Sequence, residues 1–445
     1  MISDLPDSIL CHILSFLPTK YAASTCILSS RWRRVWISFP NLCFHDRLCL
    51  DYKPTLTIED NRALSKFEKY VDKVVFHCHW ININKFSLHC YKLKNLSRLE
   101  FWVTSAIMHN VHEIELSITG QDRVELPECI YTSKTLAVLK LNSDFVIKIP
   151  SSGICFPSVK ILQVKMFYPD NNITKKLFTI CPVLEDLSIN AYLNNYNLVT
   201  NLNISSHTLK RLTLELRKDD FRYVAHQVMI KASNLEHLYI KDYTPVSYVV
   251  FNHAHLNSRV FVDITSVFMK AYNPAHCLVQ LLKGVSNAKF LSLSKSTVSA
   301  LDCAFEDYIP RFPNLTCLEV EVGILGWRLL PVILSSTPNL EALVFAKTPN
   351  SEVFVFEKDA GVTAKFRWIE QRRVPHCLLF HVKKIEVRGF DGQKEELKLI
   401  EYLLKNGKAL NTMIIRFRKT WLQEKLSKKL LMFERGSETC QIKFL

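Results

Sequence analysis

A chain of 445 residues exceeds one compact core of ordinary size, so two or three domains or one elongated repeat domain is expected. With 48% apolar and 22% charged residues it can bury a large core, and the composition argues against long disordered tails. Glycine numbers only 10, and neither GxGxxG nor GxxxxGKS/T occurs, which excludes the phosphate cradles of Rossmann and P-loop proteins.

The formal net charge of +15 is spread along the chain. Its densest run, Arg416, Arg418, Lys419, Lys425, Lys428, Lys429 and Arg435, reads as a solvated surface. A patch for nucleic acid or another acidic partner is the alternative, in which the chain would be a binding scaffold. The 14 cysteines include no CxxC pair, and the opening MISDLPD lacks the regions of a secretory signal. Reduced, mostly buried thiols are therefore expected, in the cytoplasm or nucleus. The sequons at Asn95, Asn172, Asn203 and Asn314 are read as chance. No apolar run approaches the roughly 18 residues of a membrane span.

In chain order, the first elements are three short helices. Pro6 and Asp7 suit a helix start, and Ile9, Leu10, Ile13, Leu14, Phe16 and Leu17 follow at helical spacing until Pro18 ends the helix. Thr19 is placed to cap a second helix reaching about Leu28, and Ser29 or Ser30 a third that carries Trp32 and Trp36 on one face. So small a module cannot bury all these side chains by itself, which implies an apolar partner.

Leu5-Pro6, the Ile/Leu helix, Leu17-Pro18-Thr19-Lys20, Leu28-Ser29-x-Arg31-Trp32 and Trp36 together resemble the F-box of plant proteins. Tyr21 stands where an acidic residue is more usual and Ser30 where lysine is frequent, and neither departure touches the apolar core of the motif. The resemblance implies binding to a Skp-family adaptor and, through it, a cullin. The residues expected to serve that contact are Leu5, Pro6, Ile9, Leu10, Ile13, Leu14, Leu17, Pro18, Leu28, Trp32 and Trp36, some of them packing inside the module instead.

A helix over residues 62–76 is expected to join this module to a repeat. From Ile83/Phe86/Leu88 onward the phrase apolar-x-x-apolar-x-apolar recurs, with first anchors at Val111, Leu136, Val159, Leu184, Leu209 and Leu235, then Ala288, Leu315 and Leu340. Spacings in the twenties with this phrase are the leucine-rich-repeat signature, in which each phrase supplies one strand of a curved parallel sheet. Val260 to Ile264 fits a degenerate copy in the wide gap, and residues 97–109, 174–180 and 329–335 read as helices of the convex side.

The residues between paired leucines should line the concave face, since alternate strand residues point oppositely. Glu115, Lys140, Gln163, Ser188, Thr213, Tyr239, Ser292, Glu319 and Val344 form that row. Its mixed chemistry suits a target protein better than a phosphate backbone.

Near the end, Val374-Pro375-x-Cys377-Leu378, Lys384-Ile385-Glu386-Val387-x-Gly389-Phe390-x-Gly392, Glu395-Glu396-Leu397 and Tyr402 to Asn406 resemble the FBD domain, which follows leucine-rich repeats in many plant F-box proteins. Val382/Ile385/Val387 and Leu410/Met413/Ile415 repeat the phrase, so this segment is expected to add two units to the solenoid. A left-handed cap is expected at Gly407, and a final helix with Leu422, Leu426, Leu430 and Phe433 on one stripe should cover the last strand.

The fold class expected is α/β: a three-helix F-box (1–40), a helical linker (41–80), a repeat solenoid (81–346), a connecting insertion (347–373) and the FBD with its cap (374–445). His77-Cys78-His79 with His89-Cys90 is the densest set of metal-ligand types, but it lacks the spaced pairs of a zinc site. No GxSxG elbow or HExxH helix occurs, so neither a cofactor nor a catalytic residue is expected. The resemblances imply a non-enzymatic substrate receptor of a ubiquitin ligase with a Skp adaptor, a cullin and the F-box, binding a target protein through the repeats.

Overall fold

The computed structural model describes residues 2–49, 61–77, 82–120, 124–147, 155–167, 169, 173–193, 200–218, 226–243, 247–250, 258–265, 274–302, 309–323, 329–347 and 373–445. Most of the insertion expected at 347–373, together with Cys78 and His79, lies outside the described residues. The chain divides into two compact units, Met1–Phe167 with Lys176–Ala191, and Tyr168–Lys175 with Tyr192–Leu445.

The first unit opens with α1 (Asp7–Leu14), α2 (Thr19–Ser24), a 3-10 turn (Thr25–Ile27) and α3 (Ser30–Ile37). Pro6 and Pro18 sit at the N-caps of α1 and α2, where a missing N–H costs nothing, and the Ser29 hydroxyl accepts from the Trp32 N–H at 3.3 Å to cap α3. Thr19 does not cap α2 as expected. It is the first helical residue, fully buried, and its hydroxyl accepts the Cys43 N–H, tying α2 to a strand at Asn41–His45. That strand lies in the stretch expected to be helical linker.

Asn41–His45 begins a parallel sheet that continues in chain order through Lys85–Cys90, Glu113–Ile118, Val138–Leu141, Ile161–Phe167 and Asp186–Leu193. The helices Asn61–His77, Leu96–Met108 and Cys129–Thr132 belong to the same unit. Asp72 joins two of them, accepting from the Trp102 indole at 2.8 Å and from Arg98 at 2.7 Å.

In the second unit the parallel strands run Arg211–Lys218, His237–Asp242, Arg259–Ile264, Phe290–Leu293, Cys317–Val322, Ala342–Lys347, Lys384–Phe390, Thr412–Phe417 and Gln441–Phe444. The degenerate copy at Val260 to Ile264 is a full strand, in register with neighbours on both sides. Leu212, Leu238, Val260, Leu291, Leu318, Leu343, Ile385 and Met413 fall at one register position and are all buried. The two FBD phrases therefore continue the same ladder as the repeats.

Between the repeats of residues 200–250, the chain forms a second parallel sheet of Thr200–Ser205, His226–Lys231 and Ser247–Val250. Alternating burial in His226–Lys231 shows the period of two that selects a strand. This layer is pinned by a buried polar group. Asp242 takes a position where neighbouring strands have Leu216 and Ile264, and it accepts from Tyr248 Oη at 2.5 Å and pairs with His226 Nε2 at 2.8 Å. All three are buried, and burial with the adjacent carboxylate pushes the Tyr248 phenol well up.

The FBD turn depends on two glycines with φ of +74°, Gly389 and Gly392. A Cβ at Gly389 would strike the Lys347 carbonyl, and one at Gly392 the Leu426 side chain. Lys347, at the end of the last repeat strand, pairs with Asp391 at 3.0 Å and with Glu396, while Arg418 reaches the same Asp391 at 3.0 Å. Glu396 also accepts from the Asp391 and Gln393 N–H groups, capping the helix Lys394–Asn406. Gly407 ends that helix, but its φ is −76°, not left-handed as expected. It is needed for room, because a Cβ would lie 2.8 Å from the Leu403 carbonyl. The final helix, Thr420–Leu431, packs on the strands Thr412–Phe417 and Gln441–Phe444 with Leu430 fully buried, while the side chain of Leu422 lies outside the described residues.

Two outcomes follow for stability. Gly389→Ala should cost about 1–3 kcal/mol through its left-handed backbone and the blocked carbonyl, while Gly120→Ala, whose nearest neighbours are atoms of the movable Tyr91 ring, should cost much less; urea unfolding compares them. Asp242→Ala leaves two buried donors without an acceptor and should cost about 3–5 kcal/mol, read in the same way.

Candidate functional site

Two surfaces hold the residues singled out in the sequence. The first is the helical module. Leu10, Leu14, Trp32 and Trp36 are buried inside it with Val35 and Ala22, and Trp36 stacks on Phe39 at 5.6 Å. These four members of the expected adaptor set form the core that shapes the surface. The Arg31 guanidinium clips α3 to α1, donating to the Asp7 carboxylate at 2.7 Å and to the Leu5 carbonyl. An exposed pair of this kind adds little stability but fixes orientation.

The other members face outward to different degrees. Leu5, Ile13 and Pro18 are half-buried, while Pro6, Ile9, Leu17 and Leu28 are exposed. They are joined by residues outside the expected set: Ile27 at 88% exposure, Phe16 at 75%, Ile2 and Tyr21. Phe16 belongs to the Ile/Leu stripe, so helix phase was the signal for it. Ile27 carried none, because its exposure follows from the 3-10 turn replacing the last part of the expected second helix. A small module that shows this many large apolar side chains is built to be covered.

The second surface is the open face of the sheet. In the first unit Ser87, Glu115, Lys140 and Gln163 are consecutive register partners. In the second, Thr213, Tyr239, Phe261, Ser292, Glu319, Val344 and Glu386 share one register position. Ser188 lies half-buried on its own strand, Asp186–Leu193. Phe261 and Glu386 were missed because their repeats were read as degenerate or as a separate domain.

Much of this face is internally paired. Lys85 bridges Glu113 and Glu115, each at 3.0 Å, and Lys140 reaches Glu113 at 2.8 Å. Burial pushes the Glu113 carboxyl up, but the hydrogen bonds from Lys140 and Lys85 outweigh it and hold the carboxyl below its ordinary value. In the second unit Glu386 receives Arg388 at 2.9 Å and Arg416 at 2.8 Å, and Arg388 also donates to Glu319 at 2.7 Å. Burial raises the Glu386 carboxyl and the two arginines lower it further, to a net fall. Glu321 is raised, by burial first and by Glu319 and Asp263 nearby, against the pull of a backbone hydrogen bond at Lys295 and of Arg388.

Among the described residues no three His, Cys, Asp or Glu side chains group as a metal site, and no helix is long and apolar enough to cross a membrane. Cys90 and Cys181 are buried, which pushes the Cys181 thiol up to about 12 and that of Cys90 higher still, away from nucleophilic behaviour.

Comparison with known proteins places three matches along the chain. The F-box domain matches residues 2–44, the leucine-rich repeats of the FBD-associated F-box protein At5g56370 match 99–255, and the FBD matches 370–415. The F-box/LRR-repeat protein At3g59200 of Arabidopsis thaliana is 30% identical, over 100% of this chain and 88% of the relative. The F-box/LRR-repeat protein At4g14103 of the same plant is also 30% identical, over 78% of this chain and 91% of the relative. With the three-helix module, the parallel ladder and the Gly389/Gly392 turn in one chain, the protein belongs to the plant family of F-box proteins that carry leucine-rich repeats and an FBD domain.

Proposed function

We propose that this chain is a non-catalytic substrate receptor of a ubiquitin ligase, working in the cytoplasm or nucleus. The F-box grips a Skp-family adaptor, a cullin joins through that adaptor, and the open sheet face holds a target protein. The observation that carries this reading is the apolar surface of the F-box. Phe16, Ile27, Leu28 and Ile2 are exposed on a module whose own core is already filled by Leu10, Leu14, Trp32 and Trp36.

The rate advantage of such a receptor is proximity. A target lysine held near a loaded conjugating enzyme reacts in an effectively unimolecular step, with no chemistry required of the receptor. The strand Asn41–His45 and the Thr19 hydroxyl bond fix the F-box to the first repeats, so that part of the chain behaves as a stiff arm. Mixed charge on the sheet face, much of it paired, supports a protein target over a nucleic acid, which would favour a run of free lysines and arginines.

Co-expression with a plant Skp-family adaptor tests the reading. Each of Ile27 and Leu28 would bury an aliphatic side chain worth roughly 1.5–3 kcal/mol, so the double variant Ile27→Asp with Leu28→Asp should bind the adaptor about a hundredfold or more weakly. Because both are exposed, its circular dichroism and unfolding midpoint should match the wild type. Retention of the adaptor by this folded variant would remove the F-box from the proposed contact.

A further inference from the structure

The open face of the second unit has a stretch that ion pairs do not cover among the described residues. At a single register position, five neighbouring strands present Arg259, Phe290, Cys317, Ala342 and Lys384. Arg259 and Lys384 are exposed, and neither has a carboxylate partner among the described residues. Phe290, Cys317 and Ala342 between them are half-buried and form an apolar floor. Phe261 borders that floor with its ring 5.1 Å from Phe290, and the Arg259 guanidinium lies over the Phe290 ring at 5.7 Å.

Both cations act on the floor. Burial and Glu319 push the Cys317 thiol up, while Arg259, Lys384 and Arg388 pull it the other way. Of the nearby carboxylates, Glu319 and Glu386 are engaged by Arg388, and Asp263 by Lys241 at 3.5 Å and by the Ser294 hydroxyl at 2.6 Å.

We propose that this trough binds an extended, acidic segment of the target protein, laid across the strands with acidic, apolar, apolar and acidic side chains at every second position. The lengths agree. Four strand spacings put Arg259 and Lys384 about 19 Å apart along the sheet, and six steps of an extended chain cover about 20 Å. All side chains at every second position of such a segment point the same way, so both acidic ends reach the cations while the two apolar residues meet Phe290, Cys317 and Ala342. Aromatic and arginine side chains of this kind carry most of the energy in protein contacts. This assignment rests on the receptor reading above.

Random twelve-residue peptides displayed on phage, panned against the full chain purified with its Skp-family adaptor, provide the test. The expected winners carry acidic residues about six apart with apolar residues between them. A fluorescein-labelled winner should bind the Arg259→Glu, Lys384→Glu double variant at least about tenfold more weakly, and its counterpart with lysine for each acidic residue should show the reverse preference. Basic winners, no winners, or equal binding to the double variant would overturn the trough assignment while adaptor retention leaves the receptor reading standing. Single-stranded DNA that binds more tightly than every peptide, and is lost in the double variant, would overturn it in favour of a polyanion site. A chain that takes peptides but never retains the adaptor sinks the receptor reading, and with it this proposal.

Discussion

No repeat in this chain can bury its own apolar face, and the in-register parallel ladder is the arrangement that solves this for all of them. In the first unit Phe86, Ile114, Leu139 and Leu162 stack at one position, and in the second the ladder runs from Leu212 to Met413. A slip of one residue would turn every leucine to solvent and every open-face residue into the core. The ladder thus fixes, at the same stroke, what is buried and which polar residues become neighbours. Lys85 lies between Glu113 and Glu115 because the register puts it there, and the FBD shares the same constraint. Its strands Lys384–Phe390 and Thr412–Phe417 join the ladder, and the left-handed turn at Gly389 and Gly392 lets Lys347 meet Glu396 and Asp391.

The leucine phrase made most of this legible beforehand, since period and register are both written in it. What stayed hidden was hidden for physical reasons. Asn41–His45 and Gln441–Phe444 are short edge strands with one paired side, the first with two buried residues and the second with two half-buried ones, so no full phrase is required. The second sheet of residues 200–250 was not foreseen, although Leu202/Ile204 and Val228/Ile230 alternate at period two, because so short an alternation is a weak local signal beside the repeat phrase. Asp242 was invisible because its neighbours in sequence give no hint that His226 and Tyr248 come to meet it.

The helical module shows the limit of a stripe. Ile9 and Leu10 are adjacent in sequence and both apolar, yet Leu10 is fully buried while Ile9 is 45% exposed. Periodicity identified a face too wide for one contact, which is correct, but dividing it between the core and a partner needs the phase of α1 against α3. The division matters for function. Residues such as Trp32 hold the shape, and their loss would weaken any contact indirectly, while Ile27 and Phe16 can act only through something that covers them.

The internal pairing of the sheet face bears on what a target can gain there. A ligand charge directed at Glu386 or Glu113 must compete with an arginine or lysine already in place, and the exchange of one ion pair for another leaves little net energy after desolvation. Gain comes where burial of apolar surface and a charge without a carboxylate partner coincide. In the second unit that condition is met along Arg259, Phe290, Cys317, Ala342 and Lys384, where three small or aromatic side chains separate two cations. The side chains of that row can change without disturbing the leucines beneath, because the alternation of the strand keeps the two sets on opposite faces.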